Sequence, residues 1–323
     1  MREEEIPFYG IHAGKLRRYF DFKNVIDAFK VPLGFFEALR ILRQKKPTIV
    51  FAKGGYVSVP VVFAARALGI PVWLHESDLT PGLSNRLCSR AASQIWLSFE
   101  ESTRYFAGRD PQSVHVVGNP IRREVTQGNK KRGYEFTGCS SEKPVVLVMG
   151  GSSGAASLNA LIFKIIPQLA RHAQVVHVTG ALTDEIRALC DTLVQKEKSY
   201  HHFDFIGEEL SDVYAITDLA VSRAGSGSLF ELLACGIPMV LVPLPKSASR
   251  GDQIENAASF ATRGWATALD QDSLTTERLA EVITQFVKDE NMRTGMINAQ
   301  KNATLTHGAS EIASALRDFC FTH

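Results

Sequence analysis

Two glycine-rich segments hold the residue types that bind phosphate. In the first, Val145-Val146-Leu147-Val148-Met149 runs into Gly150-Gly151-Ser152-Ser153-Gly154. In the second, Leu219-Ala220-Val221-Ser222 runs into Arg223-Ala224-Gly225-Ser226-Gly227-Ser228 and on into Leu229-Phe230-Glu231-Leu232-Leu233-Ala234. A glycine-rich turn at a helix start leaves backbone N–H groups unpaired at the positive end of the helix dipole, which is a receptor for phosphate. Two such turns suit a diphosphate. Ser152 can donate hydroxyl and amide to an anion, or the glycines there simply relieve a tight strand–helix turn. No Lys-Ser/Thr follows, so this is not a Walker loop. In the second segment Ser226 or Ser228 can cap the helix while free amides face a phosphate. Glu231, one turn inside, can accept hydrogen bonds from ribose hydroxyls, or is an acid favoured by the helix dipole. The third glycine of GxGxxG is missing, which leaves little support for NAD.

Other polar groups stand where ligands bind in open α/β sheets, beyond the carboxyl ends of expected strands. They are Gly54-Gly55-Tyr56-Val57-Ser58 and His75-Glu76-Ser77-Asp78. His75 and Glu76 can do acid–base work, or form a structural pair. Arg122, in Val117-Gly118-Asn119-Pro120-Ile121-Arg122, can hold a phosphate or carboxylate with its planar fork, or is solvated in a turn. Gln253 and Asn256, in the helix start Arg250-Gly251-Asp252-Gln253-Ile254-Glu255-Asn256, are three apart and share a face, where neutral amides suit sugar hydroxyls or a plain polar helix start. The basic, aromatic run His12-Ala13-Gly14-Lys15-Leu16-Arg17-Arg18-Tyr19-Phe20 and residues 31–43 suit an anionic membrane surface, or a helix packed on its own sheet with a basic edge.

The elements that must position these groups follow from the apolar pattern. Strands are expected at residues 48–52, 72–75, 95–98, 114–117, 145–149, 175–178, 203–206, 219–222 and 239–242. They are continuous rather than alternating, as in strands covered on both faces. Helices are expected at 31–44, 157–172, 229–235, 254–262 and 276–288. This β-α-β-α order implies parallel sheets with right-handed crossovers. Residues 6–11 read as a weak strand, and the polar stretch 126–143 as a loop between two domains. A length of 323 residues favours two domains, and 45% hydrophobic residues supply their cores. A net charge of +2 argues against a general nucleic-acid binder. The five scattered cysteines give no metal or disulfide framework and suit a reducing compartment. No apolar run is long enough to span a membrane.

Taken together and in this order, the segments resemble the MurG family. The match rests on residues 14–19, Lys53-Gly54-Gly55-Tyr56-Val57-Ser58-Val59-Pro60, His75-Glu76-Ser77-Asp78, Gly118-Asn119-Pro120-Ile121-Arg122, Met149-Gly150-Gly151-Ser152, Ser222-Arg223-Ala224-Gly225-Ser226, and Arg250-Gly251-Asp252-Gln253 with Asn256-Ala257. The resemblance implies an α/β GT-B fold: two Rossmann-like, doubly wound parallel-sheet domains facing a cleft. They would span 1–122, with a C-terminal helix at about 304–323 packed back on it, and 123–303. It implies an inverting transfer of GlcNAc from UDP-GlcNAc to lipid I, without metal or cofactor, by a peripheral protein on the cytoplasmic face of the cell membrane. Its donor contacts carry over onto Arg122, Ser152, Ile206 (main chain to uracil), Ser226, Gly227, Ser228, Leu229, Glu231 and Gln253, with Asn256 beside them. Gly54, Gly55, Tyr56, Ser58 and Asp78 fall on the acceptor side; Asp78 stands where the family has an Asn that touches the sugar. The family opens with a strand and a GGTGGH-like loop whose His is the proposed base, and these 323 residues contain no such loop. The first domain is therefore expected to lack its N-terminal strand. Glu76 or His75 is the fallback base, and turnover is expected to be low or absent. The alternatives are a UDP-sugar-binding fragment without catalysis, or a different UDP-sugar:lipid glycosyltransferase.

Overall fold

The computed structural model describes residues 6–14, 22–150 and 156–322. Ser152, with the rest of its glycine turn from Gly151, and the basic run from Lys15 to Phe20 lie outside the described residues. The chain divides into two compact units: Met1–Gly118 with His307–His323, and Asn119–Thr306.

The first unit begins with helix α1 (Phe22–Lys45), followed by β1 (Val50–Ala52), α2 (Ser58–Ala67), β2 (Val72–Glu76), α3 (Leu83–Ser89), β3 (Gln94–Leu97) and β4 (Val114–Val116). The four strands form one parallel sheet in the order β1-β2-β3-β4. Strand β2 explains why the sheet reads as a continuous apolar run. Val72 and Leu74 point into a core with Ala38, Leu42, Val62 and Ala65 of α1 and α2, while Trp73 points to the other face beside Trp96. Alternate side chains leave a strand on opposite sides, so both sides must be apolar.

Residues 6–11 are not a strand. This segment lies along α1, where the His12 amide and ring both bond Glu37 and the Lys45 ammonium sits over the Tyr9 ring. α1 also extends nine residues ahead of the expected start, carrying Pro32 within it.

The second unit runs α4 (Lys130–Thr137), β5 (Val145–Met149), α5 (Ala156–Leu169), β6 (Gln174–Val178), α6 (Asp184–Lys196), β7 (Tyr200–Phe203), α7 (Leu210–Ile216), β8 (Leu219–Ser222), α8 (Ser226–Ala234), β9 (Met239–Leu241), α9 (Asp252–Thr262), β10 (Thr267–Ala268), α10 (Thr276–Lys288) and α11 (Glu290–Lys301). Its six strands are parallel, in the order β10-β9-β8-β5-β6-β7. α5 buries Leu158, Ile162, Ile166 and Leu169 against Leu279, Ile283 and Phe286 of α10 and the strands between. Each such side chain contributes about 1.5–3 kcal/mol by leaving water.

Two expectations change here. The stretch 126–143 is not a bare loop. Asn129 caps α4, and the Arg132 guanidinium grips Asp212 of α7 through both carboxylate oxygens at 2.7 and 2.8 Å. Its polar composition hid a helix that docks through an ion pair and a close glycine, Gly133, rather than through an apolar stripe. The third strand of this sheet is residues 200–203 rather than 203–206. Fully buried Tyr200 anchors it, and the polar-looking His201-His202 pair with β6.

The first turn of α5 is tied to β6 by a buried polar chain. The Asn159 amide donates to the Thr179 carbonyl, and its oxygen meets His177 Nε2 at 3.0 Å. That oxygen can only accept, so the imidazole proton sits on Nε2 and the Tyr200 hydroxyl donates to Nδ1 at 3.1 Å.

The chain ends with α12 (Gly308–Thr322), which belongs to the first unit and places Ile312 and Phe319 against Trp73 and Trp96. Its first residue must be glycine, because a Cβ there would stand 2.8 Å from the Gly118 carbonyl oxygen and 2.9 Å from that of Val117. Gly308→Ala is expected to lower the stability of the first unit by about 1–3 kcal/mol, the usual cost of overpacking. A lowered urea midpoint checks this, and an unchanged midpoint contradicts it.

Candidate active site

In the second unit the chain leaves β5 toward β6 and β7, then returns to place β8 on the other side of β5. The chain thus leaves β5 and β8 in opposite directions along the sheet, and the carboxyl ends of two such adjacent strands are where open α/β sheets bind ligands. The second glycine-rich turn, between β8 and α8, falls at that point.

Helix α8 begins at Ser226, three residues earlier than expected. Gly225 is its N-cap and makes no side-chain cap bond. The expected capping by Ser226 or Ser228 does not occur, because both lie inside the helix. The Leu229 amide donates to the Gly225 carbonyl at 3.0 Å. An α-helix bonds i to i−4, so the amides of Ser226, Gly227 and Ser228 have no partner within it. They face outward at the positive end of the dipole. Leu229 is not a free donor: its amide is used and its side chain is fully buried.

Glu231 lies one turn along. Its Oε2 accepts from the Tyr214 hydroxyl at 3.1 Å, and that hydroxyl lies 3.8 Å from Met149 Sδ at the end of β5. Burial, then the Glu231 carboxylate, push the Tyr214 phenol well above its usual value, while the Arg122 charge acts the other way. Arg122 is thus within electrostatic reach of the pair, and it is exposed.

Gln253 and Asn256 do share one face of α9, yet both are engaged. Gln253 accepts from the Leu244 amide at 3.0 Å. Asn256 is fully buried and donates to the Ala224 carbonyl. It positions the turn before α8 instead of presenting an amide to solvent. Ile206 is buried in the bend between β7 and α7.

In the first unit Gly54 and Gly55 both adopt left-handed φ, +96° and +83°, which only glycine takes without strain. They precede α2, and the Ser58 hydroxyl returns to the Gly54 carbonyl. Tyr56 stands exposed at the tip.

His75 and Glu76 end β2, and both are buried, at 0% and 4% exposure. His75 Nε2 approaches the Gly118 carbonyl and Ser98 Oγ, and Nδ1 approaches Ser77 Oγ, at 3.3–3.4 Å. Burial, helped by the Lys53 charge, pushes its pKa down to about 4. Glu76 accepts from the Asn85 amide at 2.7 Å and from the Asp78 main chain at 3.0 Å, and burial raises its pKa. Asn85 also lies against Gly54, where a Cβ would meet its Oδ1 at 3.0 Å. His75, Glu76 and Asn85 thus lock the loops that carry Gly54 and Asp78. Among the described residues no cluster of three or more His, Cys, Asp or Glu could hold a metal ion.

The models for the N-terminal and C-terminal domains of glycosyltransferase family 28 match residues 1–97 and 145–314. The chain is 42% identical over 292 residues to a Bacillus cereus protein named UDP-N-acetylglucosamine–N-acetylmuramyl-(pentapeptide) pyrophosphoryl-undecaprenol N-acetylglucosamine transferase 2, covering 90% of this chain and 80% of that one. It is 43% identical over 298 residues to the Staphylococcus aureus transferase of the same description, covering 92% and 80%. The chain belongs to the MurG family. The crystal structure of Acinetobacter baumannii MurG superposes with a TM-score of 0.72 at 26% identity, covering 98% of this chain and 86% of that one. The two parallel-sheet, Rossmann-like units are those of the MurG and GT-B architecture.

Against this family background, sequence reasoning missed Tyr214, Asn85 and Asn159, and treated Arg223 as part of a loop. Each is a polar residue that the fold buries, and no spacing rule exposes such a residue.

The pH dependence of stability follows from the buried imidazoles. His75 titrates at about 4 and His177 at about 3 in the fold, against 6.5 in the unfolded chain. Below pH 6.5 the unfolded chain binds protons that the fold refuses, so stability is lost on acidification. From pH 7 to pH 5 each histidine costs about 2 kcal/mol. Glu76, with its raised pKa, acts in the opposite direction and returns part of this. Urea midpoints falling from pH 7 to 5, less steeply in His177→Gln, are expected; a flat wild-type profile contradicts the assignment.

Proposed function

We propose that the chain transfers GlcNAc from UDP-GlcNAc to the 4-hydroxyl of the MurNAc sugar in lipid I, forming lipid II for peptidoglycan synthesis. The observation that carries this reading is the switch point between β5 and β8, with three amides at the start of α8 that have no partner in their own helix, in a chain 42–43% identical to enzymes named for that transfer.

The diphosphate sits on the amides of Ser226, Gly227 and Ser228, with Ser152 and Arg122 alongside. Glu231 accepts from the ribose hydroxyls, Ile206 meets uracil through its main chain, and Gln253 faces the sugar. The acceptor hydroxyl attacks the anomeric carbon from the face opposite UDP, which inverts the centre. Negative charge growing on the leaving diphosphate is stabilised by donors aimed before the reaction begins. On the acceptor side Gly54, Gly55, Tyr56 and Asp78 form the loops that meet lipid I.

The protein acts as a peripheral protein at the cytoplasmic face of the membrane. Leu33, Phe36, Arg40 and Arg43 are spaced along one stripe of α1 and all are exposed, Phe36 at 63%. Such a stripe suits an anionic lipid surface. No helix among the described residues is long and apolar enough to cross a membrane.

The engagement of His75 and Glu76 within the first unit favours a second reading, donor binding without transfer. Incubating the purified chain with UDP-GlcNAc and lipid I separates the two. Transfer is supported by UDP release with lipid II formation, and the second reading by donor binding alone. Glu231→Ala is expected to weaken UDP-GlcNAc binding by about 10- to 100-fold, as for loss of hydrogen bonds to a charged group. A calorimetric affinity unchanged in that variant contradicts the ribose assignment.

A further inference from the structure

Arg223 follows β8 directly and is 2% exposed. Its Nη1 donates to the carbonyls of Val242 at 2.9 Å and Pro243 at 3.5 Å, just past β9. Its Nη2 donates to Ser157 Oγ at 2.7 Å in the first turn of α5. The Ser157 hydroxyl in turn donates a hydrogen bond to Gln271 Oε1 at 3.0 Å. Nε is buried and has no hydrogen-bond partner. Among the described residues no carboxylate pairs with this guanidinium, and none of residues 151–155 is acidic. Burial disfavours its charge, yet an arginine stays protonated in proteins. Arginine is almost never fully buried unless paired. Among the described residues a net positive charge is therefore held between the end of β8 and the first turn of α5, with only neutral groups to solvate it.

We infer that Arg223 is the buried counter-charge of the donor's diphosphate, a positioning residue that draws negative charge to the switch point without touching it. The inference rests on the UDP-sugar reading of this site. The charges balance on that view. The amino-terminal ends of α5 and α8 each present about half a positive charge, Arg223 and Arg122 add about one each, Glu231 takes about one away, and the two phosphates of a UDP-sugar carry about two negative charges. A buried charge is screened little by salt and acts over longer distances than a surface one. The opposing account is that Arg223 only staples α5 to β8 and β9 through its hydrogen bonds.

Titration of the full chain with UDP and with uridine distinguishes them, because uridine has the base and ribose but no phosphate. Arg223→Gln is expected to weaken UDP by about tenfold or more while uridine changes by less than about threefold, the order set by one charge pair at an effective dielectric of about 20. Arg223→Lys keeps the charge but loses the fork, and Ser157→Ala keeps the charge but loses one anchor. Both are expected to lower the thermal midpoint yet leave the ratio of UDP to uridine affinity within about threefold of wild type. If Arg223→Gln does not fold, these two variants carry the test through the absolute affinities: UDP and uridine both held within about threefold of wild type support the counter-charge, and a larger parallel loss of both overturns it in favour of the staple. Equal losses of UDP and uridine in Arg223→Gln overturn the inference and leave the donor reading standing. So does a ratio that collapses in Ser157→Ala with the arginine still present. A wild-type chain that ignores UDP overturns the donor reading and the inference with it.

Discussion

A parallel sheet built outward from its centre must start a strand, leave to one side, and come back to the other. In the second unit that return sets β8 beside β5, and the helices after both strands follow the carboxyl ends of neighbouring strands. The main-chain donors at the start of α8 have nothing of their own helix to bond. A serine or aspartate at the N-cap would have satisfied some of them; Gly225 does not. The fold thus keeps at a fixed place a cluster of donors with no partner in their own helix, and in the proposed function these are the donors that hold the phosphates.

Around this point, most of the polar residues that look reactive hold loops in place. Asn256 ties α9 to the turn before α8, Tyr214 holds Glu231, and Asn159 ties α5 to β6 through His177. The first unit uses the same device at the end of β2. Buried His75 and Glu76 are neutral-leaning groups, the first with its pKa pushed down and the second with it raised. Each is satisfied by short-range bonds, because an unpaired polar group in the interior costs more than the loop gains by closing.

Strands covered on both faces advertise themselves, so β2, β5, β6, β8 and β9 could be placed from their apolar runs to within a few residues. The glycine-rich turn before α8 could also be placed, since few functions other than anion binding or a tight turn need one. Elements held by polar contacts were harder. α4 docks through Arg132 and Asp212, which lie 80 residues apart, and β7 begins at a buried tyrosine followed by two histidines. The partner of Glu76 is Asn85, one helix away, and that of Glu231 is Tyr214, on another helix. No local pattern encodes such pairs, because they exist only once the sheet has brought its carboxyl-end loops together. The cap of α8 was misjudged for a related reason: serine is the better cap by propensity, and only the backbone path decides that glycine occupies the position.

The most direct test is hydrogen–deuterium exchange on the purified chain with divalent cations chelated. Adding UDP-GlcNAc should slow exchange at the amides of Ser226, Gly227 and Ser228 more than at any other amides of the second unit. No protection there, or protection that appears only when magnesium is restored, would contradict the claim that main-chain donors hold the diphosphate.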